Sequence, residues 1–334
     1  MIQKFSINLW DNAEYDYPEA YGFCPNMTGY LHEPEEAKSY PCILVIPGGG
    51  YCVVAPQEAE IVAEKFYGLG YDAFVLTYTV NMTRMTPLRQ RALYDAARAM
   101  RLLRFHAKEW GIRENQIVLC GFSAGGHLAG SLCVHYDDVE EKEEKLQKFS
   151  CRPDAAILCY PVITTGKWAD RPVFSCLLGD EATKEELFYV SLEQQVTGNT
   201  PPCFLWHTRT DERVPVENSL LMRDALVQAN IPCECHIFSN GHHGLSLADE
   251  TYASGNFGTP YTLLQAEYLV KAIKEGKTSL PKEKKEELLN EFDQERKSQD
   301  AKPFHDVPNQ EVAAWPMLAD SWIRALFGNE KNNS

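Results

Sequence analysis

Three residue types that together activate a hydroxyl occur in this chain in a telling order: a serine between glycines, then a carboxylate, then a histidine. Gly121-Phe122-Ser123-Ala124-Gly125 fits G-x-S-x-G. It follows the strand-like QIVLC and precedes the helix-like GHLAGSLCVHY, which is the setting of a nucleophile elbow. Small neighbours let the chain turn sharply and leave the Ser123 hydroxyl clear. The positive end of the following helix points to where a carbonyl oxygen would gain charge. The chemistry implied is nucleophilic attack on an acyl group.

A serine hydroxyl needs a base, and the base needs a carboxylate to hold its tautomer. After an elbow of this kind the chain order is Asp or Glu, then His. Asp211 falls in the loop after the strand-like 203–207 (CFLWH) and is read as the acid. Its neighbour Glu212 competes for that role, and Asp211 could instead cap the helix expected at 215–229. The loop after 233–238 (CECHIF) holds His242 and His243. Adjacent loop residues point apart, so one of them faces Ser123. His243, directly before Gly244, is read as the base. The run Ile46-Pro47-Gly48-Gly49-Gly50-Tyr51 offers N–H groups with no Cβ in the way. The N–H groups of Gly49, Gly50 and Ala124 are the candidate oxyanion hole. A phosphate loop is excluded by pattern, since neither G-x-G-x-x-G nor G-K-[ST] occurs here.

No metal is expected. His242 and His243 have no third ligand at short helical spacing, and Cys233 and Cys235 have no second pair to complete a zinc site. No organic cofactor is needed. His106 lies on the face of an amphipathic helix, His127 and His135 sit on the helix after the elbow, and His32, His207, His236 and His305 have no partner pattern; all are read as structural or exposed.

The elements that must position these residues follow from short apolar runs at 42–47, 73–80, 116–121, 155–160, 203–207 and 233–238. Most are near-continuous, as in strands covered on both faces. Helix-like segments lie between them at about 57–69, 86–109, 124–136, 183–194 and 215–229. This alternation predicts an α/β fold, a doubly wound, mostly parallel sheet with helices on both faces. A single domain over 1–334 is expected. Segment 162–202, with Trp168, Phe174, Phe188 and Tyr189, reads as a cap over the pocket. Segment 249–310 reads as an insertion peripheral to the chemistry that shapes access to the pocket or assembly, followed by an amphipathic helix within 312–327. Its Lys/Glu-rich part should be helical, with Leu288 and Phe292 on one face. The mixed-charge run 139–148 reads as a solvated helix or loop.

The 334 residues carry a formal net charge of −15, which argues against a nucleic-acid partner. No run approaches 18 apolar residues, so no membrane span is expected, and no signal peptide is read at the N-terminus. Eleven scattered cysteines are read as reduced thiols of a cytoplasmic protein.

With PGGGY, GFSAGGHLAG, HTRTDERVPVENSL and GHHGLSL in this order, the chain resembles the α/β-hydrolase esterases of the acetylxylan-esterase or carbohydrate-esterase kind. These lie close to the feruloyl-esterase-like and hormone-sensitive-lipase-like groups. The resemblance runs from about Cys42 to Leu247 and resumes at 312–327. It implies the α/β-hydrolase fold, with Ser123 as nucleophile, Asp211 as acid and His243 as base. It also implies a small ester as partner, with acetyl on an oligosaccharide as the expected substrate; homo-oligomerisation stays open. One departure is Pro47, where the lipase-like groups usually have His. Two rivals are a peptidase of the prolyl-oligopeptidase kind and a non-catalytic binding protein. The first usually carries a large extra N-terminal domain, whereas only 41 residues precede Cys42.

Overall fold

The computed structural model describes residues 2–11, 15–33, 38–301 and 306–329, so His305 lies outside the described residues. Eight strands make one sheet: β1 (Gln3–Asn8), β2 (Asn26–Leu31), β3 (Tyr40–Ile46), β4 (Asp72–Thr77), β5 (Ile112–Phe122), β6 (Ala155–Cys159), β7 (Cys203–Thr208) and β8 (Cys233–Phe238). Their order is β1-β2-β4-β3-β5-β6-β7-β8. The six strands β3 to β8 run parallel, while β2 pairs antiparallel with β4 and β1 antiparallel with β2. All six strands expected from the sequence form. The pair β1 and β2 was not anticipated, and it occupies the stretch before Cys42.

Alternate side chains of the apolar strands serve two cores. Cys42, Leu44 and Ile46 of β3 face one core, and Ile43 and Val45 face the other. The first core is covered by α2 (Arg91–Phe105), α4 (Ser123–His135) and α7 (Glu217–Gln228), with the short α3 (Ala107–Trp110) beside them. The second is covered by α1 (Glu60–Gly68) and the terminal helix α11 (Trp315–Asn329). Helices on both faces of a mostly parallel sheet place the carboxyl ends of β3, β5, β7 and β8 at one edge, where such sheets build their sites.

Segment 162–202 contains α5 (Arg171–Leu178) and α6 (Lys184–Tyr189). Segment 249–310 contains α8 (Glu250–Ala253), α9 (Leu264–Lys274) and α10 (Lys282–Ala301), and its residues 302–305 lie outside the described residues. The Lys/Glu-rich part is helical as expected. Leu288 is buried, and Phe292 packs beside it on the first core. The run 139–148 is only partly the solvated loop expected, because the buried Arg98 of α2 pairs with Glu141 and Glu143. All eleven cysteines are free thiols, eight of them buried.

Candidate active site

Ser123 ends the turn from β5 into α4 with φ of 52°, a left-handed conformation a serine rarely adopts. The turn is tight because α4 passes against the glycine loop. A Cβ on Gly125 would lie 2.1 Å from the carbonyl oxygen of Ile46. The strain and the crowding together raise the hydroxyl above the sheet edge, beside the histidine loop.

The structure brings Ser123, His243 and Asp211 into one hydrogen-bonded line. The Ser123 Oγ and His243 Nε2 are 2.8 Å apart, and His243 Nδ1 is 2.7 Å from Asp211 Oδ2. An ionised Asp211 accepts from Nδ1–H, which leaves the Nε2 lone pair facing the serine hydroxyl. Asp211 Oδ1 accepts the N–H groups of Arg213 and Val214 at 2.9 and 2.8 Å. Burial acts to raise the Asp211 pKa, but the hydrogen bonds from His207 and His243 outweigh it and hold the carboxyl well below the usual range. His207 stands at the end of β7. It is fully buried, donates from Nε2 to the Val214 carbonyl and lies 3.2 Å from Asp211 Oδ2. Sequence spacing gives no sign of this, because a strand residue and the turn after it meet only once the turn closes.

The two rival residues sit apart from the line. His242 turns outward: its Nε2 is 2.7 Å from Asp306 Oδ2, and its Nδ1 is 2.7 Å from the His243 carbonyl. Glu212 Oε2 reaches the His243 backbone N–H at 3.4 Å, not its ring.

Gly49 and Gly50 border the same cleft as Ser123 and His243. Both have positive φ, 113° and 64°. Ala124 is the second residue of α4, in the turn whose N–H groups lack helical partners. With Pro47 where the lipase-like groups usually have a histidine, the loop is held by other means. The Tyr78 hydroxyl donates to the Pro47 carbonyl at 2.8 Å, and the Gly48 N–H donates to Glu58 Oε2 at 2.7 Å. Tyr51 meets His127 Nδ1 at 2.8 Å, and the opposite nitrogen of that ring lies 2.9 Å from the Val190 carbonyl. A carbonyl only accepts, so Nε2 carries the proton and the Tyr51 hydroxyl donates to Nδ1. Glu58 and the Tyr51–His127 pair escaped the sequence reading.

The cleft encloses about 1360 Å³. Of the aromatic residues expected over it, none lines it. Phe188 is exposed, Tyr189 stacks on His135, Phe174 packs against His127, and Lys167 sits over Trp168. The 162–202 segment instead contributes Pro172, Ser175, Cys176 and Asp180 from α5 and the turn after it. Segment 249–310 shapes access to the cleft: Leu263, Leu288, Glu291 and Phe292 form a wall, and the Tyr252 hydroxyl donates to the Gly244 carbonyl at 2.9 Å. No cluster that could hold a metal ion occurs among the described residues, and no helix there is long and apolar enough to cross a membrane.

Residues 30–226 match the BD-FAE family model. Endo-1,4-beta-xylanase B of Butyrivibrio fibrisolvens is 46% identical over 264 residues, 79% of this chain and 41% of that protein. An acetylxylan esterase of Xylanibacter ruminicola is 27% identical over 250 residues, 72% of this chain and 46% of its own length. The chain thus spans less than half the length of these curated relatives. Among solved structures, the acetyl ester-xyloside bifunctional hydrolase of Caldicellulosiruptor lactoaceticus is 36% identical with a TM-score of 0.67, covering 82% of this chain and 97% of its own. The strand order, the helices on both faces and the family match agree: this chain belongs to the BD-FAE family and has the α/β-hydrolase fold.

Proposed function

We propose that this chain is a serine esterase that removes short acyl groups, acetyl foremost, from a carbohydrate alcohol. The observation that carries the reading is the unbroken line Ser123–His243–Asp211 at the edge of a cleft that Gly49 and Gly50 also border. Ser123 Oγ attacks the ester carbonyl as His243 Nε2 takes its proton. The oxyanion is met by the N–H groups of Gly49 or Gly50 and Ala124. The protonated ring then gives its proton to the leaving alcohol. Water, activated by the same nitrogen, cleaves the acyl-enzyme. A placed general base contributes typically about 10²–10⁴-fold, and one oxyanion donor about 10²–10³ in turnover.

The substrate class draws on two supports. The relatives named above act, by their names, on xylan, its acetyl esters or xylosides. The cleft also carries Arg84, Arg89, Arg213, Asp180, Glu181 and Glu291 among its walls, whereas a tunnel for a long acyl chain needs a continuous apolar lining. Ser123→Ala should lower turnover of 4-nitrophenyl acetate at least about 10³-fold with the fold intact, since Ala brings no new strain to a position already holding a Cβ. Wild type should prefer the acetate to the octanoate ester by at least about tenfold in kcat/KM, and should release acetate from acetylated xylo-oligosaccharides. An active Ser123→Ala would remove the mechanism. Preference for octanoate would remove the short-acyl claim, and silence on every acetylated sugar would remove the carbohydrate.

A further inference from the structure

Glu58 takes no part in the proton relay, yet it joins the loops that build the site. It ends the turn Pro56–Glu58 and is 3% exposed. Its Oε2 accepts the Gly48 N–H at 2.7 Å, and its Oε1 accepts the Tyr160 hydroxyl at 2.6 Å. The same hydroxyl accepts the Ser246 N–H at 3.0 Å, just past the histidine loop, and Ser246 Oγ donates to the Gln57 carbonyl at 2.7 Å. Two donors therefore converge on two carboxylate oxygens, an arrangement that suits the ionised group. Gly48 stands against the nucleophile as well as Glu58: a Cβ built on it would lie 2.9 Å from Ser123 Cβ and 2.9 Å from Glu58 Oε2. With the Gly48 N–H committed to Glu58, that group is not an oxyanion donor, and the orientation of the next two peptides is set.

We infer that Glu58 is a positioning residue, which fixes the Gly48 peptide and so aims the N–H groups of Gly49 and Gly50 at the oxyanion. The inference rests on the esterase reading. Glu58→Gln keeps the shape but has one acceptor oxygen and no charge: with the oxygen on Tyr160 its NH2 faces the Gly48 N–H, and with the oxygen on Gly48 the Tyr160 hydroxyl must turn to accept the amide. Per active site, counted by fluorophosphonate labelling run to completion, kcat and kcat/KM on 4-nitrophenyl acetate should fall together by about 10–100-fold. The inhibition constant of a trifluoromethyl ketone, which forms a tetrahedral oxyanion on the serine, should rise by the same factor. Glu58→Asp keeps both acceptor oxygens and should recover part of the loss. Wild-type turnover per site in Glu58→Gln, or a loss carried by KM alone, overturns the proposal. If Glu58→Gln gives no folded protein, Glu58→Asp decides: a parallel fall upholds the role and unchanged turnover overturns it. Ser123→Ala separates the two failures. If that variant stays active, the esterase reading falls; if it is dead while both Glu58 variants match wild type, only the role of Glu58 falls.

Discussion

Two adjacent histidines, His242 and His243, differ in everything that chemistry needs. The ring of His243 spans 2.8 Å to Ser123 and 2.7 Å to Asp211, while that of His242, also on the cleft wall, turns from that line to Asp306. His243→Ala should therefore cost turnover as heavily as loss of the nucleophile, because the two act as one unit. His242→Ala should keep substantial turnover, since its ring bonds to Asp306 and the His243 carbonyl and reaches neither Ser123 nor Asp211. Turnover numbers for the two variants check this, and the reverse ranking would move the base. The meeting of Ser123, Asp211 and His243 was legible because each sits in a short, directional motif at a strand end. Glu58 and His207 were not, because their partners are backbone groups and side chains brought near only by folding. Nothing in their neighbourhoods marks a residue whose task is to hold another.

At the scale of elements, α4 carries His127 into the core, where burial outweighs the hydrogen bond to the Val190 carbonyl and depresses its pKa from 6.5 to about 4. An unfolded chain binds a proton here as pH falls below about 6.5, and the folded one does not until about 4. The folded state thus loses this stability across that window on acidification, in total on the order of 3 kcal/mol. The difference in urea unfolding free energy between wild type and His127→Gln should shrink by that order from pH 7 to pH 4; a flat difference would mean the ring is not held neutral. Helix α10 makes a second case. Leu288 is 1% exposed in the first core and also lines the cleft. Leu288→Ala should cost about 2–4 kcal/mol of stability by thermal or urea unfolding; a cost near zero would make the helix an appendage. Element types were readable wherever a strand was covered on both faces and so ran apolar. The pair β1 and β2 escaped for physical reasons. β1 is a half-exposed edge strand, and β2 carries Gly29 because Phe5 and Phe74 fill the space above it, where a Cβ would lie 2.7 Å from the Phe74 ring.

Across the whole molecule, the site depends on residues far apart in the chain. Ser123 and Asp211 ride on β5 and β7, and the histidine loop is seated in part by what comes after it. Trp315 of α11 donates its indole N–H to the Ser246 carbonyl at 2.9 Å and packs fully buried against Phe66, Phe122 and Trp206. Trp315→Ala should remove about 3–5 kcal/mol of stability and with it the fluorophosphonate reactivity of Ser123, whereas Trp315→Phe should restore most of the first and less of the second. Equal recovery of both would deny the indole N–H its part. There is a consequence for the timing of synthesis. As the chain leaves the ribosome, Ser123, Asp211 and His243 emerge well before Trp315, so all three exist before the last support of the histidine loop does. A nascent chain halted before α11 carries Ser123, Asp211 and His243 and still lacks one support of its histidine loop, the Trp315 indole.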